Sequence, residues 1–196
     1  MRRRTATGLC AVAVLVAGCG GGTRQDAEEP SGTFEVEVVS AKFPEQQKLA
    51  RQERLVLEVR NADTKTIPNV AVTINPGFAV RSNRPDLADP NRPVWIVDDG
   101  PFGGGTAYTS TWALGALKAG ESRRFVWKVT PVRSGRHEVG YRVAAGLNGK
   151  AKAQIAGGDK AEGSFNVTIS DKPSQATVDP ETGKVLRNDD DVSDGG

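Results

Sequence analysis

The chain has 196 residues, 26% of them charged and 37% hydrophobic, with a formal net charge of +2, two cysteines, one histidine and one methionine. That length suits one domain with its own hydrophobic core. So few His, Cys and Met side chains leave no ligand set for a transition-metal centre or metal cofactor, and the near-neutral balance lacks the basic footprint of a nucleic-acid binder.

The N-terminus is the first readable element. Arg2, Arg3 and Arg4 precede a short apolar run, Leu9 to Ala17, followed by Gly18. A basic start, an apolar stretch and small residues make a secretory signal peptide. The run is too short to cross a bilayer as a helix, which takes about 20 residues. It ends Val16-Ala17-Gly18-Cys19, a sequence that resembles the lipobox of bacterial lipoproteins. The resemblance implies cleavage after Gly18, a diacylglyceryl group on the Cys19 thiol, and an extracytoplasmic protein held to the membrane by lipid. Cysteine is required because a thiolate is the nucleophile that accepts the lipid. A plain secretory signal with an incidental cysteine is the alternative. Residues 1–18 are therefore read as signal peptide. Residues 19–32, glycine-rich and then polar and acidic, are read as lipidated cysteine and flexible tether. Loss of the signal removes three arginines and no acid, taking the formal charge from +2 to −1. It also removes Cys10, so the mature domain has no disulfide and relies on its core.

From 33 to 170 the apolar pattern has period two. Phe34, Val36 and Val38 share a face, as do Leu55, Leu57 and Val59; Val70, Val72 and Ile74; Phe125, Trp127 and Val129; Val139, Tyr141 and Val143; and Phe165, Val167 and Ile169. Alternation of β-branched and aromatic residues predicts half-buried strands. The one helix-like patch is 43–53, a short helical turn or a loop. Asn148-Gly149 predicts a two-residue hairpin. Strands at this spacing predict an all-β chain, an antiparallel immunoglobulin-like β-sandwich. Residues 171–196, polar and ending in an acidic cluster at Asp189–Asp191, are read as a disordered tail.

Leu55–Asn61, Val70–Ile74, the Leu114-Gly115-Ala116-Leu117 step, Gly120-Glu121 and Gly135 together resemble the CARDB kind of bacterial and archaeal surface domain. The resemblance implies an immunoglobulin-like fold and transfers no catalytic residue, since fold alone does not fix function. The chain departs from that pattern at 76–111, a long proline-rich insertion. Insertions on a rigid sandwich are where function concentrates.

Candidate chemistry is sparse. His137 has no nucleophile motif beside it and reads as an ordinary strand residue. Phe102-Gly103-Gly104-Gly105-Thr106 lacks the Gly-Lys-Ser/Thr ending of a phosphate loop. Asp86, Asp89, Asn91, Asp98 and Asp99 lack EF-hand spacing and read as turn residues. The insertion and the residue that follows it carry Trp95, Phe102, Tyr108 and Trp112, rings of the kind that stack on sugars or anchor a partner. The apolar neighbours of Trp95 and Trp112 favour the core; Phe102 and Tyr108 are the better candidates for exposure. The expectation is a non-enzymatic structural or protein-interaction module at the cell surface, bound to membrane lipid through Cys19. A carbohydrate- or cell-wall-binding module is the alternative, and a small hydrolase with an unrecognised site a weaker one.

Overall fold

The computed structural model describes residues 26–75, 78–80, 93–172, 176–183 and 185–187. The strands are β1 (Gly32–Lys42), β2 (Gln46–Lys48), β3 (Glu53–Asn61), β4 (Ala71–Asn75), β5 (Phe78–Val80), β6 (Trp95–Asp99), β7 (Thr111–Ala113), β8 (Ser122–Pro131), β9 (Gly135–Ala144), β10 (Ala151–Gln154), β11 (Glu162–Ser170), β12 (Ala176–Val178) and β13 (Val185–Arg187). One sheet runs β10-β1-β3-β8-β6-β5, the other β2-β11-β9-β4-β7, and β12 with β13 forms a separate ladder. The protein is an all-β sandwich of the immunoglobulin-like class.

The period-two pattern explains why these segments extend. Leu55 and Leu57 on β3 lie opposite Trp127 and Phe125 on β8, and all four side chains are fully buried. The facing sheet contributes Val72, Ile74, Val139, Val143, Val167 and Ile169. Burying each such side chain stabilises the fold by about 1.5–3 kcal/mol. On β1 the register slips between Val38 and Ser40. Val39 sits at that bulge, on the face opposite Val36, and is half exposed where Val36 is buried.

Three segments differ from their sequence reading. The helix-like patch contains β2, which runs parallel to β11. Gln47 is buried there, and its Oε1 accepts the indole N–H of Trp95 at 2.7 Å; an extended backbone aims that amide inward. Asn148-Gly149 does not close a hairpin. Both edges of β9 are occupied, by β11 and by β4, so the chain crosses to the other sheet and β10 pairs parallel with the start of β1. In the segment read as a disordered tail, Val178 pairs with Val185 across a turn in which Asp179 Oδ1 accepts the N–H of Glu181 and Thr182. The cluster at Asp189–Asp191 lies outside the described residues.

Candidate functional site

Cys19 and Gly18 lie outside the described residues, as do Asp86, Asp89 and Asn91. The stretch of the insertion from residue 93 onward can be built from its glycines. Gly100 lies against Trp112: a Cβ there would meet the indole Nε1 at 2.7 Å. Gly103 has φ 73°, a conformation that glycine adopts without strain. The Gly104 N–H bonds the Pro101 carbonyl, and the Ala113 N–H bonds the Gly104 carbonyl, which extends the edge of β7. These bonds form a tight turn with Phe102 at its apex, fully exposed at 102%.

The four candidate aromatics separate into two pairs. Trp95 and Trp112 are core residues and are not available as binding rings. Trp95 lies among Phe43, Phe78 and His137 at centroid distances of 5.6–5.9 Å. Trp112 meets Trp127 edge to face at 5.4 Å. Their strands place them inward, as the apolar neighbours suggest. Phe102 and Tyr108 are exposed, but they form no shared stacking platform. Tyr108 is turned onto the sandwich, where its hydroxyl donates to Asp26 Oδ2 at 2.5 Å.

That contact belongs to a latch with no sequence signal. Asp26 is 3% exposed, and its carbonyl accepts the side-chain N–H of Asn148 at 2.9 Å. Glu29 Oε2 accepts the consecutive backbone N–H groups of Leu147 and Asn148 at 2.6 and 3.1 Å, and its Oε1 accepts Asn69 Nδ2 at 3.2 Å. Successive N–H groups converging on one carboxylate are a backbone anion nest. Gly146 makes room for it, since a Cβ there would lie 2.6 Å from Glu29 Oε2. Charge-assisted bonds of this kind contribute roughly 1.5–3 kcal/mol each when shielded from water. The segment read as a tether is thus bonded to the sandwich from Asp26 onward. Its partners stand about 120 residues away in sequence, so no local pattern could mark it.

Two shallow concavities lie on the sheet of β4, β9 and β11. One, about 450 Å³, is floored by Gly140 and rimmed by Thr73, Asn75, Arg142, Glu162 and Ser164. Its one ion pair joins Arg142 to Glu162 at 3.2 Å. The other, about 420 Å³, is floored by alanines and rimmed by Tyr108, Leu147, Lys152 and Lys160. His137 faces the Ser134 carbonyl through Nε2 at 3.1 Å. Asp98 Oδ2 accepts from Gln52 and Thr130, and Asp99 pairs with Lys128 at 3.3 Å. Among the described residues, no three His, Cys, Asp or Glu side chains gather as metal ligands would.

No family model matches the sequence, and no curated protein matches it. Among solved structures it is similar to a CARDB domain of Pyrococcus furiosus described in complex with di-metal ions, at 15% identity and TM-score 0.42, covering 72% of this chain and 94% of that one. It is also similar to part of the native alpha-2-macroglobulin of Escherichia coli, at 13% identity and TM-score 0.42, covering 77% of this chain and 21% of that one. Both likenesses concern the fold, and neither assigns a residue of this chain a role.

Proposed function

We propose that this protein is an extracytoplasmic lipoprotein, cleaved after Gly18 and acylated on Cys19, that presents its sandwich at the cell surface as a non-enzymatic structural or interaction module. Its contact surface is the exposed part of the insertion, at Phe102. The observation that supports this reading best is the attachment of the chain beyond the lipobox. Asp26 and Glu29 are bonded to the Leu147–Asn148 turn, Asn69 and Tyr108. A lipid on Cys19 would then hold the sandwich on a short lead, suited to displaying a surface beside the membrane. Two acyl chains give stable anchoring where one gives only marginal binding.

Fractionation tests the anchor. Cys19→Ala is expected to abolish acylation and to leave the signal uncleaved at Gly18, both read from the mass of the N-terminal peptide of the membrane fraction. A membrane-bound, normally processed variant would remove the lipoprotein reading. Cross-linking on intact cells, with mass spectrometry of the adducts, tests the module; contacts mapping to the Phe102 turn are expected.

A further inference from the structure

The turn that receives the latch carries a reactive pair. Asn148 is the one asparagine in the chain that precedes a glycine. A backbone nitrogen can attack the side-chain amide of the residue before it, and only glycine presents that nitrogen without a Cβ beside it. Three features of this turn favour the attack. The Gly149 N–H has no hydrogen-bond partner among the described residues, whereas the N–H groups on both sides are engaged, Leu147 and Asn148 with Glu29 Oε2 and Lys150 with Asn148 Oδ1 at 2.8 Å. Gly149 is exposed with φ 78°, and nothing lies within 4 Å of the position a Cβ would occupy, so a ring closing on its nitrogen has open space. The Lys150 N–H also polarises the Asn148 carbonyl, and the same donor can hold the negative charge that gathers on Oδ1 as the new bond forms.

The product of that attack does not fit the latch. Asn148 Nδ2 donates to the carbonyl of Asp26, which is 3% exposed. Loss of the amide replaces that donor by a carboxylate oxygen and leaves a buried carbonyl facing an acceptor. It also sets a third negative charge beside the Asp26 and Glu29 carboxylates. The isoaspartate form adds a methylene to the main chain between the Asn148 Cα and Gly149, where the Lys150 carbonyl accepts the Gly32 N–H at 3.1 Å.

We propose that Asn148 is a site of spontaneous deamidation and that its conversion releases Asp26 and Glu29 from the sandwich. The reaction needs only water. The Gly149 nitrogen loses its proton to solvent and bonds to Asn148 Cγ; the Cγ–Nδ2 bond breaks, and ammonia leaves with a proton taken from solvent. Water then opens the succinimide. Attack at Cγ gives aspartate, and attack at the backbone carbonyl carbon gives isoaspartate. Nothing is oxidised or reduced, and departure of ammonia makes the change one-way. On a chain anchored at Cys19, release would lengthen the free lead from seven residues, ending at Asp26, to thirteen, ending at Gly32. Its extended reach would grow from about 25 Å to about 45 Å. That consequence alone rests on the Cys19 anchor.

The test ages the full chain in mildly alkaline buffer and follows it by peptide mapping and by hydrogen exchange at the turn. The peptide containing Asn148 should gain about 1 Da as its amide becomes a carboxyl group, and should resolve into two forms. It should do so before the peptides containing Asn61, Asn69, Asn75 or Asn166, and faster as pH rises, because the attacking nitrogen must lose its proton. In the aged protein and in Asn148→Asp, the amides of Leu147 and residue 148 should exchange about tenfold faster or more, the loss expected when charge-assisted bonds to Glu29 open. The amides of β3 and β8 should exchange as before. An Asn148 peptide that stays intact, or that changes no sooner than the others, would overturn the site. Conversion with unchanged exchange at Leu147 would overturn the release of the latch. Either result leaves the Cys19 anchor standing.

Discussion

Trp95 and Trp127 are both fully buried in the same core, yet their polar atoms are treated differently. The Trp95 N–H donates to Gln47 Oε1, and Gln47 Nε2 in turn donates to the Pro44 carbonyl at 3.0 Å. The Trp127 N–H has no hydrogen-bond partner among the described residues. Packing alone holds it: it is stacked on Phe125 at 5.9 Å, edge to face with Trp112 at 5.4 Å, and opposite Leu55 on β3. A buried N–H without a partner costs about 1–3 kcal/mol, whereas a satisfied one contributes about 1 kcal/mol. The comparison teaches that indole burial here is driven by area. The hydrogen bond at Trp95 is added by a short edge strand, β2, whose extended backbone exists to deliver Gln47.

The largest effects should come from removing either ring. Trp95→Ala and Trp127→Ala should each lower the unfolding free energy by about 3–5 kcal/mol in chemical denaturation. A surface-like cost below about 1 kcal/mol for either would break the picture of a shared core. Replacement by phenylalanine separates the two sites. At both sites the smaller ring leaves a cavity costing on the order of 1 kcal/mol. Trp127→Phe also discards the unsatisfied N–H, so its net cost should be near zero. Trp95→Phe leaves Gln47 Oε1 buried without its donor and should cost roughly 1–3 kcal/mol more. Equal costs would mean that the Gln47 bond contributes nothing. A double-mutant cycle sharpens this: in a Gln47→Leu background the Trp95 N–H is unsatisfied like that of Trp127, and Trp95→Phe should cost roughly 1–3 kcal/mol less than it does alone.

The same contrast marks what could be read from sequence. Leu55-Leu57-Val59 and Phe125-Trp127-Val129 announced their burial by alternation, because a strand with one wet face carries its orientation in every second residue. The glycines around Phe102 announced its exposure. Trp95 and Trp112 were ambiguous as binding rings, since an aromatic near prolines and glycines fits either a core or a platform until its strand is placed. What failed was non-local. Asn148-Gly149 has the chemistry of a hairpin turn, and Gly149 does adopt φ 78°. Whether a hairpin closes, however, depends on β9 having a free edge, which β4 and β11 remove. Gln47 as partner of Trp95, 48 residues apart, and Glu29 as partner of Leu147, 118 residues apart, leave no local trace. A polar, proline-containing lead reads as a tether whether or not Glu29 finds a nest.

The smallest expected effect concerns a polar cluster that is the opposite of Trp127. Asn61 is fully buried, and its side chain is satisfied: Nδ2 donates to the Lys65 and Leu117 carbonyls, and Oδ1 accepts the Asp63 N–H. The Asp63 carboxylate closes the cluster by accepting the N–H of Glu35 and of Lys65, each at 3.1 Å. Those N–H groups, Glu35 first and Lys65 second, hold its pKa below the ordinary value of 3.8. A depressed carboxylate pKa makes the unfolded chain bind more protons than the folded one as pH falls. The stabilisation from Asp63 is therefore fully present above about pH 4 and is lost as pH falls through the lower folded value. Asp63→Asn keeps the size and one acceptor but removes the charge. The parent should exceed the variant in denaturation midpoint near neutral pH, and the two should converge as pH falls below about 4. A gap that stays constant across that range would mean that the cluster is held by geometry alone. The satisfied side of the comparison would then owe nothing to charge, just as Trp127 owes nothing to hydrogen bonding.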